Sequence, residues 1–158
     1  MHQTPDEKGK IAQIVYGGFS KCAYPLQRFH SDTERVLAYV PERDTLRRFQ
    51  PVAGQFNISY RFGANQPEYV PDFVAATADH NLIIESKAAK DMEASDVKAK
   101  AEATWCKKAG DYSQAQGGKP WKYLLVPHDA VAHNATVSSL AGRFSVASSS
   151  SATGSNPC

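Results

Sequence analysis

Two acids and a lysine stand out: Asp72 in Tyr69-Val70-Pro71-Asp72-Phe73, and Glu85 and Lys87 in Leu82-Ile83-Ile84-Glu85-Ser86-Lys87. The second run is apolar until its last three residues, so an acid and a base emerge from the end of a buried segment. Strand side chains alternate faces, which points Glu85 and Lys87 the same way, about 7 Å apart. A turn at 78–81 would fold the strand that begins near Tyr69 against 81–87 and bring Asp72 alongside Glu85. Carboxylates that close repel unless a positive charge lies between them. A hard divalent cation meets that need, and Mg2+ commonly takes one or two carboxylates together with substrate phosphate oxygens. On this reading Asp72 and Glu85 are metal ligands, the Ser86 backbone carbonyl adds another, and Lys87 faces the water or phosphate at the metal. Metal-assisted phosphodiester hydrolysis is the matching chemistry. The plainer reading makes Asp72 a turn former after Pro71, and Glu85 and Lys87 an exposed ion pair worth little.

The elements that must position these residues follow from patterning. Residues 1–10 are polar and expected to be loose, and 11–16 read as a short strand. Ser31, with Glu34 three residues later, opens a helix whose apolar face is Val36, Leu37 and Val40. Pro41 should end or kink it, and 45–49 read as a further helical turn. Phe56, Ile58, Tyr60 and Phe62 alternate, as a half-buried strand over 55–62 does. A second strand runs over 68–77, interrupted by Pro71, and a third over 81–87. The longest helix starts at Ser95, carries Val97, Ala101, Trp105 and Lys108 at helical spacing, and stops at Gly110. A polar loop precedes an apolar strand over 121–126, and 127–144 hold a loop and a short helix. Short connections make the first three strands antiparallel, whereas the helical crossover lets the fourth lie parallel to the third. The tail SVASSSSATGSNPC is low in complexity and expected to be disordered.

With 158 residues, one domain with one sizeable core is expected. A hydrophobic fraction of 42% and a charged fraction of 22% are ordinary for a soluble protein. The net charge of +2 permits an anionic partner without demanding one. Three scattered cysteines, Cys22, Cys106 and Cys158, point to a reducing compartment rather than a disulfide framework. No apolar run is long enough for a membrane span and the N-terminus has no apolar signal region, so a cytoplasmic location with no membrane partner is expected.

Other groups carry weaker signals. His128 and His133 lack companions at zinc-ligand spacing and read as loop residues. Lys90, Lys98, Lys100, Lys107 and Lys108 are either a solvated face or a surface for DNA phosphates. Arg43, Arg47 and Arg48 offer backbone-phosphate contacts, with a structural role preferred. Trp105 and Trp121 read as core. Gly118-Lys119-Pro120 resembles the end of a phosphate loop but has Pro where Ser or Thr must bind Mg2+, so no ATP site is expected.

The residues Pro71-Asp72-Phe73 followed by Leu82-Ile83-Ile84-Glu85-Ser86-Lys87 resemble the active-site pattern of the PD-(D/E)xK nuclease superfamily. The stretches YGGFSKCAYPLQRFHSDTERVLA, GQFNISY, EYVPDFVA and GGKPWKYLLVPHDAVAHN are similar to the C-terminal endonuclease domain of Type III restriction subunits, over roughly residues 14–144. The resemblance implies a restriction endonuclease-like mixed four-stranded sheet core in the order αβββαβ, flanked by helices. It implies one nuclease domain over 1–145 with an N-terminal extension, and a tail over 146–158. Asp72 and Glu85 would be metal ligands for Mg2+ or Mn2+, and Lys87 the catalytic lysine. Glu34 resembles the first-helix acid that such nucleases aim at the metal, though it also fits a capping box with Ser31. The implied partners are DNA, a helicase-type ATPase module, a methyltransferase modification subunit and a second copy of the chain. The chain is then either a piece of a motor nuclease or a free-standing relative. A DNA-docking module that cuts nothing is the rival reading.

Overall fold

The computed structural model describes residues 8–56, 58, 59, 64, 68–92 and 96–148. The described helices are α1 (Asp32–Asp44), α2 (Asp96–Ala115) and α3 (Val137–Phe144). The strands are β1 (Arg47–Phe49), β2 (Ile58–Ser59), β3 (Glu68–Tyr69), β4 (Phe73–Ala76), β5 (Asn81–Lys87), β6 (Trp121–Pro127) and β7 (Ser145–Val146). Five of them form one mixed sheet in the order β1-β4-β5-β6-β7, and β2 pairs with β3 separately. Among the described strands β5 and β6 pair in parallel, joined by α2 as a crossover, and the other strand pairs are antiparallel. The protein is therefore α/β, with a mixed sheet and helices on both faces.

Alternation along β4, β5 and β6 builds two cores. Phe73, Ala75, Leu82, Ile84, Leu124 and Val126 face α1 and α3. Val74, Ile83, Tyr123 and Leu125 face α2 and the small hairpin, meeting Ala99, Cys106, Ile58 and Tyr69. Each fully buried aliphatic side chain of β5 contributes roughly 1.5–3 kcal/mol.

Several elements differ from the sequence expectation. Residues 45–49 leave the helix rather than extend it, because Thr45 donates both its N–H and its hydroxyl to the Pro41 carbonyl and closes α1. The chain then enters the sheet as β1, held on its outer side by Arg48 N–H to Lys21 O and Ala23 N–H to Arg48 O. Pro41 is accommodated in the last turn of α1. The strand expected over 55–62 is described only at Ile58 and Ser59; residues 57 and 60–63 lie outside the described residues. The strand expected over 68–77 is two strands, parted at 70–72 where Pro71 has no N–H to give a ladder. Lys8–Gln13 is a 3-10 helix instead of a strand start, followed by a single bridge between Tyr16 and Gln27.

Helix α2 passes through Gly110 and stops at a glycine pair. Gly117, at φ 77°, donates to Gln114 O, and Gly118 N–H donates to Ser113 O at 2.7 Å, a Schellman closure. Gly110 serves packing instead: a Cβ there would lie 3.1 Å from the Trp121 backbone nitrogen. The buried face of α2 is Ala99, Glu102, Ala103 and Cys106, whereas Val97 is exposed. Ser145 and Val146, expected in a loose tail, pair with Leu124 and Tyr123, and residues 149–158 lie outside the described residues. Among the described residues no helix is long and apolar enough to cross a membrane.

Candidate functional site

Strand pairing brings the predicted acids together. Phe73 pairs with Ile84, which places Asp72 opposite Glu85 at the end of the β4–β5 ladder. Asp72 Oδ2 accepts the Ser86 N–H at 2.8 Å and the Ser86 hydroxyl at 3.1 Å. Burial pushes the Asp72 carboxyl up to about 6; the charges of Glu85 and Glu34 add to the rise and the Ser86 bonds oppose it.

Glu85 continues the Ile83 face of β5 and is almost wholly buried, at 3% exposure. Its Oε1 meets Lys87 Nζ at 2.9 Å and Lys98 Nζ at 2.7 Å. Its Oε2 is buried without a hydrogen-bond partner. Burial acts to lower the Lys87 pKa, but the hydrogen bond and charge of Glu85 outweigh it and the net shift is upward. Lys87 is thus a held ammonium at the rim of the site.

Glu34 stands on α1 with its N–H donating to Ser31 Oγ, so Ser31 caps the helix as expected. Its carboxylate does not return to the Ser31 N–H as a capping box requires. Oε2 accepts the His30 N–H at 2.7 Å and Oε1 accepts Gln50 Nε2 at 2.6 Å. Glu34 is buried, and its charge reaches Asp72.

Three further residues complete the surroundings. Lys98, grouped by sequence with the surface lysines, points inward from α2, with its Nζ 4.1 Å from the Tyr69 ring centroid. Glu102 is fully buried, neither of its oxygens has a hydrogen bond of ordinary length, and Lys98 Nζ lies 4.0 Å from Oε1. Burial and then the Glu85 charge push its carboxyl up to about 8. The Tyr69 phenol faces Glu85 and the Tyr123 phenol faces Glu102, Tyr69 Oη having no partner at ordinary hydrogen-bond distance, and burial drives both phenols well above their ordinary range. The i, i+4 spacing of Lys98 and Glu102 was the one signal for this pair in the sequence.

Among the described residues no three or more His, Cys, Asp or Glu side chains cluster as a metal cage. The capacity for a hard cation rests on the Asp72–Glu85 pair, with its unpartnered Oε2. Comparison with protein-family models, curated proteins and solved structures gives no match.

The remaining candidates separate by burial. Arg48 is the largest fully buried side chain, bonded to Glu42 at 2.9 Å and Gln27 at 3.0 Å and stacked on Phe19, so it offers nothing to a phosphate. Arg43 is spent on Asp44 and the carbonyls of His133 and Ala135, whereas Arg47 is exposed. Lys90 and Lys108 are exposed and Lys107 pairs with Asp111. Lys119 Nζ donates to Thr77 O. His128 lies in a 3-10 helix and His133 is exposed. Trp105 and Trp121 pack edge to face at 5.4 Å against the α2-side core.

Proposed function

We propose that the protein is a divalent-metal-dependent DNA endonuclease domain with a restriction endonuclease-like core, hydrolysing phosphodiester bonds. The observation that carries this reading is the register that sets Asp72 opposite Glu85, with a buried Glu85 oxygen left unpartnered. The order α1, β1, β4, β5, α2, β6 supports it, since it follows the αβββαβ sequence once the separate β2–β3 pair and the added β7 are set aside, with Arg47–Phe49 and not the expected 55–62 strand as the first strand of the sheet. The donor set fits Mg2+ or Mn2+: it offers oxygen donors only, and one acid is raised by burial and then by its acidic neighbours.

Asp72 and Glu85 would hold the cation, with the Ser86 carbonyl as a further oxygen. A bound cation supplies Lewis-acid polarisation of the phosphate and a lowered pKa for coordinated water. Ser86 fixes the Asp72 carboxylate so that its lone pairs keep one direction. Lys87, held by Glu85 but 32% exposed, can meet an arriving phosphate oxygen, orient the attacking water and stabilise developing charge. Glu34 adds negative field from α1 without touching the substrate. Exposed Lys90 and Lys108 are available to DNA phosphates.

The two ammonium groups on Glu85 favour a second reading, a DNA-docking module whose acids are structural ion-pair partners. Incubation of supercoiled plasmid with the chain in Mg2+, against EDTA, separates them. Nicked circles that require the metal are expected. Binding without any nicking in Mg2+ or Mn2+ would sink the nuclease reading.

A further inference from the structure

Oxygen Oε1 of Glu85 carries two cations, and they differ in where else they can go. Lys87 is partly exposed and can turn to water. Lys98 is held under the Tyr69 ring, and one helical turn along α2 stands Glu102. Both Glu102 oxygens are buried without a hydrogen bond of ordinary length, the Tyr123 phenol standing beside them and the Lys98 ammonium lying 4.0 Å from Oε1. Leaving a buried polar group unpaired costs about 1–3 kcal/mol, and more for a charged one. A fold that keeps such an acceptor beside a long, rotatable lysine holds a vacant partner for it.

We propose that Glu102 is a positioning residue that receives the Lys98 ammonium when a divalent cation displaces it from Glu85. Lys98 is then an internal plug of the metal site, with its alternative partner one turn away. This rests on the metal reading of Asp72 and Glu85. A dication and an ammonium on one carboxylate oxygen repel strongly in a buried setting. Lys98, with its side chain 21% exposed, has a thin path to water, but Glu102 offers it an anionic partner inside the fold. The shift from 4.0 Å to charge-assisted hydrogen-bond range is just over 1 Å, well within reach of a lysine stem. Burial raises the Glu102 carboxyl and the Lys98 charge opposes that rise, so a closer ammonium favours the carboxylate. Before the cation binds, the plug neutralises Glu85 and keeps the strand end folded.

The full chain is titrated with Mn2+, the free ion being counted by electron paramagnetic resonance. Wild type is compared with Asp72→Asn, Lys98→Met, Glu102→Gln and the Lys98→Met/Glu102→Gln double variant. A site that disappears in Asp72→Asn is expected. Glu102→Gln should weaken it about tenfold, an ordinary coupling between contacting groups. Lys98→Met should tighten it, and the double variant should behave as Lys98→Met does. Wild-type affinity in Glu102→Gln, or a Glu102→Gln loss that persists without Lys98, overturns the plug and leaves the Asp72–Glu85 site standing. Absence of any Asp72-dependent site in wild type overturns both. If Glu102→Gln does not fold by circular dichroism, the unmutated chain decides. The Lys98 Cε–Hε resonance, assigned with Lys98→Met, should move on addition of Mg2+; a resonance that stays put overturns the plug.

Discussion

Ser86 donates both its backbone N–H and its hydroxyl to a single oxygen of Asp72, at 2.8 and 3.1 Å. The residue that follows one predicted ligand on β5 therefore aims the other, across the strand pair. Both bonds favour the ionised carboxylate and oppose the burial that raises it. Ser86→Ala should keep the fold at a cost of about 1 kcal/mol and raise the Asp72 pKa further. Carboxyl carbon NMR across a pH series reads this directly; an unchanged or lower midpoint would contradict the orienting role.

Glu34→Gln tests the α1 acid. Its two oxygens accept from His30 N–H and Gln50 Nε2, and Gln50 can flip its amide to suit a glutamine neighbour. A loss of about 1 kcal/mol or less is expected in urea melts, together with a downward shift of Asp72, whose pKa the Glu34 charge raises. Ser31→Ala, which removes the cap, should cost about 1 kcal/mol and leave Asp72 where it was. No Asp72 shift in Glu34→Gln would confine Glu34 to the cap.

Stability should fall as pH rises. Asp72 moves from 3.8 to about 6 on folding and Glu102 from 4.5 to about 8. An acid whose folded pKa is raised binds its proton more tightly when folded, so its contribution is fully present below the unfolded pKa and is lost through the folded one. The loss runs from about pH 4 to pH 8, and the Asp72 share is roughly 3 kcal/mol. Urea melts at pH 5 and pH 8 should show the lower midpoint at pH 8, with Mg2+ restoring part of it. Equal midpoints without metal would contradict the shifts.

Asp72→Asn and Glu85→Gln should both abolish Mg2+-dependent nicking, but they should part in stability at pH 7.5. Asp72→Asn removes a buried charge from beside two acids, keeps an acceptor for Ser86 and should melt no lower than wild type. Glu85→Gln strips two ammonium groups of their shared anion and should cost about 1–3 kcal/mol. Wild-type nicking by either variant would remove the metal-site assignment.

Arg48→Ala should be the most damaging of these changes. It takes the guanidinium from Glu42 Oε2 and Gln27 Oε1, though Glu42 Oε1 keeps its bonds from Ser20 and Lys21, and it opens a void under Phe19. A loss of about 3 kcal/mol is expected from the emptied volume and the unpaired Gln27 oxygen, read as a fall in melting temperature; a loss under 1 kcal/mol would show the network to be dispensable.

Local patterning was enough for much of the frame. The apolar run that ends in Glu85-Ser86-Lys87, the Ser31 cap, the parallel β5–β6 pair across a helical crossover and the juxtaposition of Asp72 with Glu85 are all legible from periodicity, capping and connection length. These depend on residues a few positions apart or on one tight turn. What the tertiary structure alone decided depends on neighbours distant in sequence. Arg47–Phe49 is a strand because β4 and the 21–23 segment flank it, although its own residues carry no strand signal. Gly110 lies inside the helix where the Trp121 backbone leaves little room for a Cβ, and the left-handed stop falls at Gly117. Lys98 and Glu102 look like an exposed i, i+4 pair, yet α2 lays them against β5, where the buried Glu85 charge draws the lysine inward. Side-chain charge is read from the chain one residue at a time, but its burial and its partners are set only when the helix and the sheet close on each other.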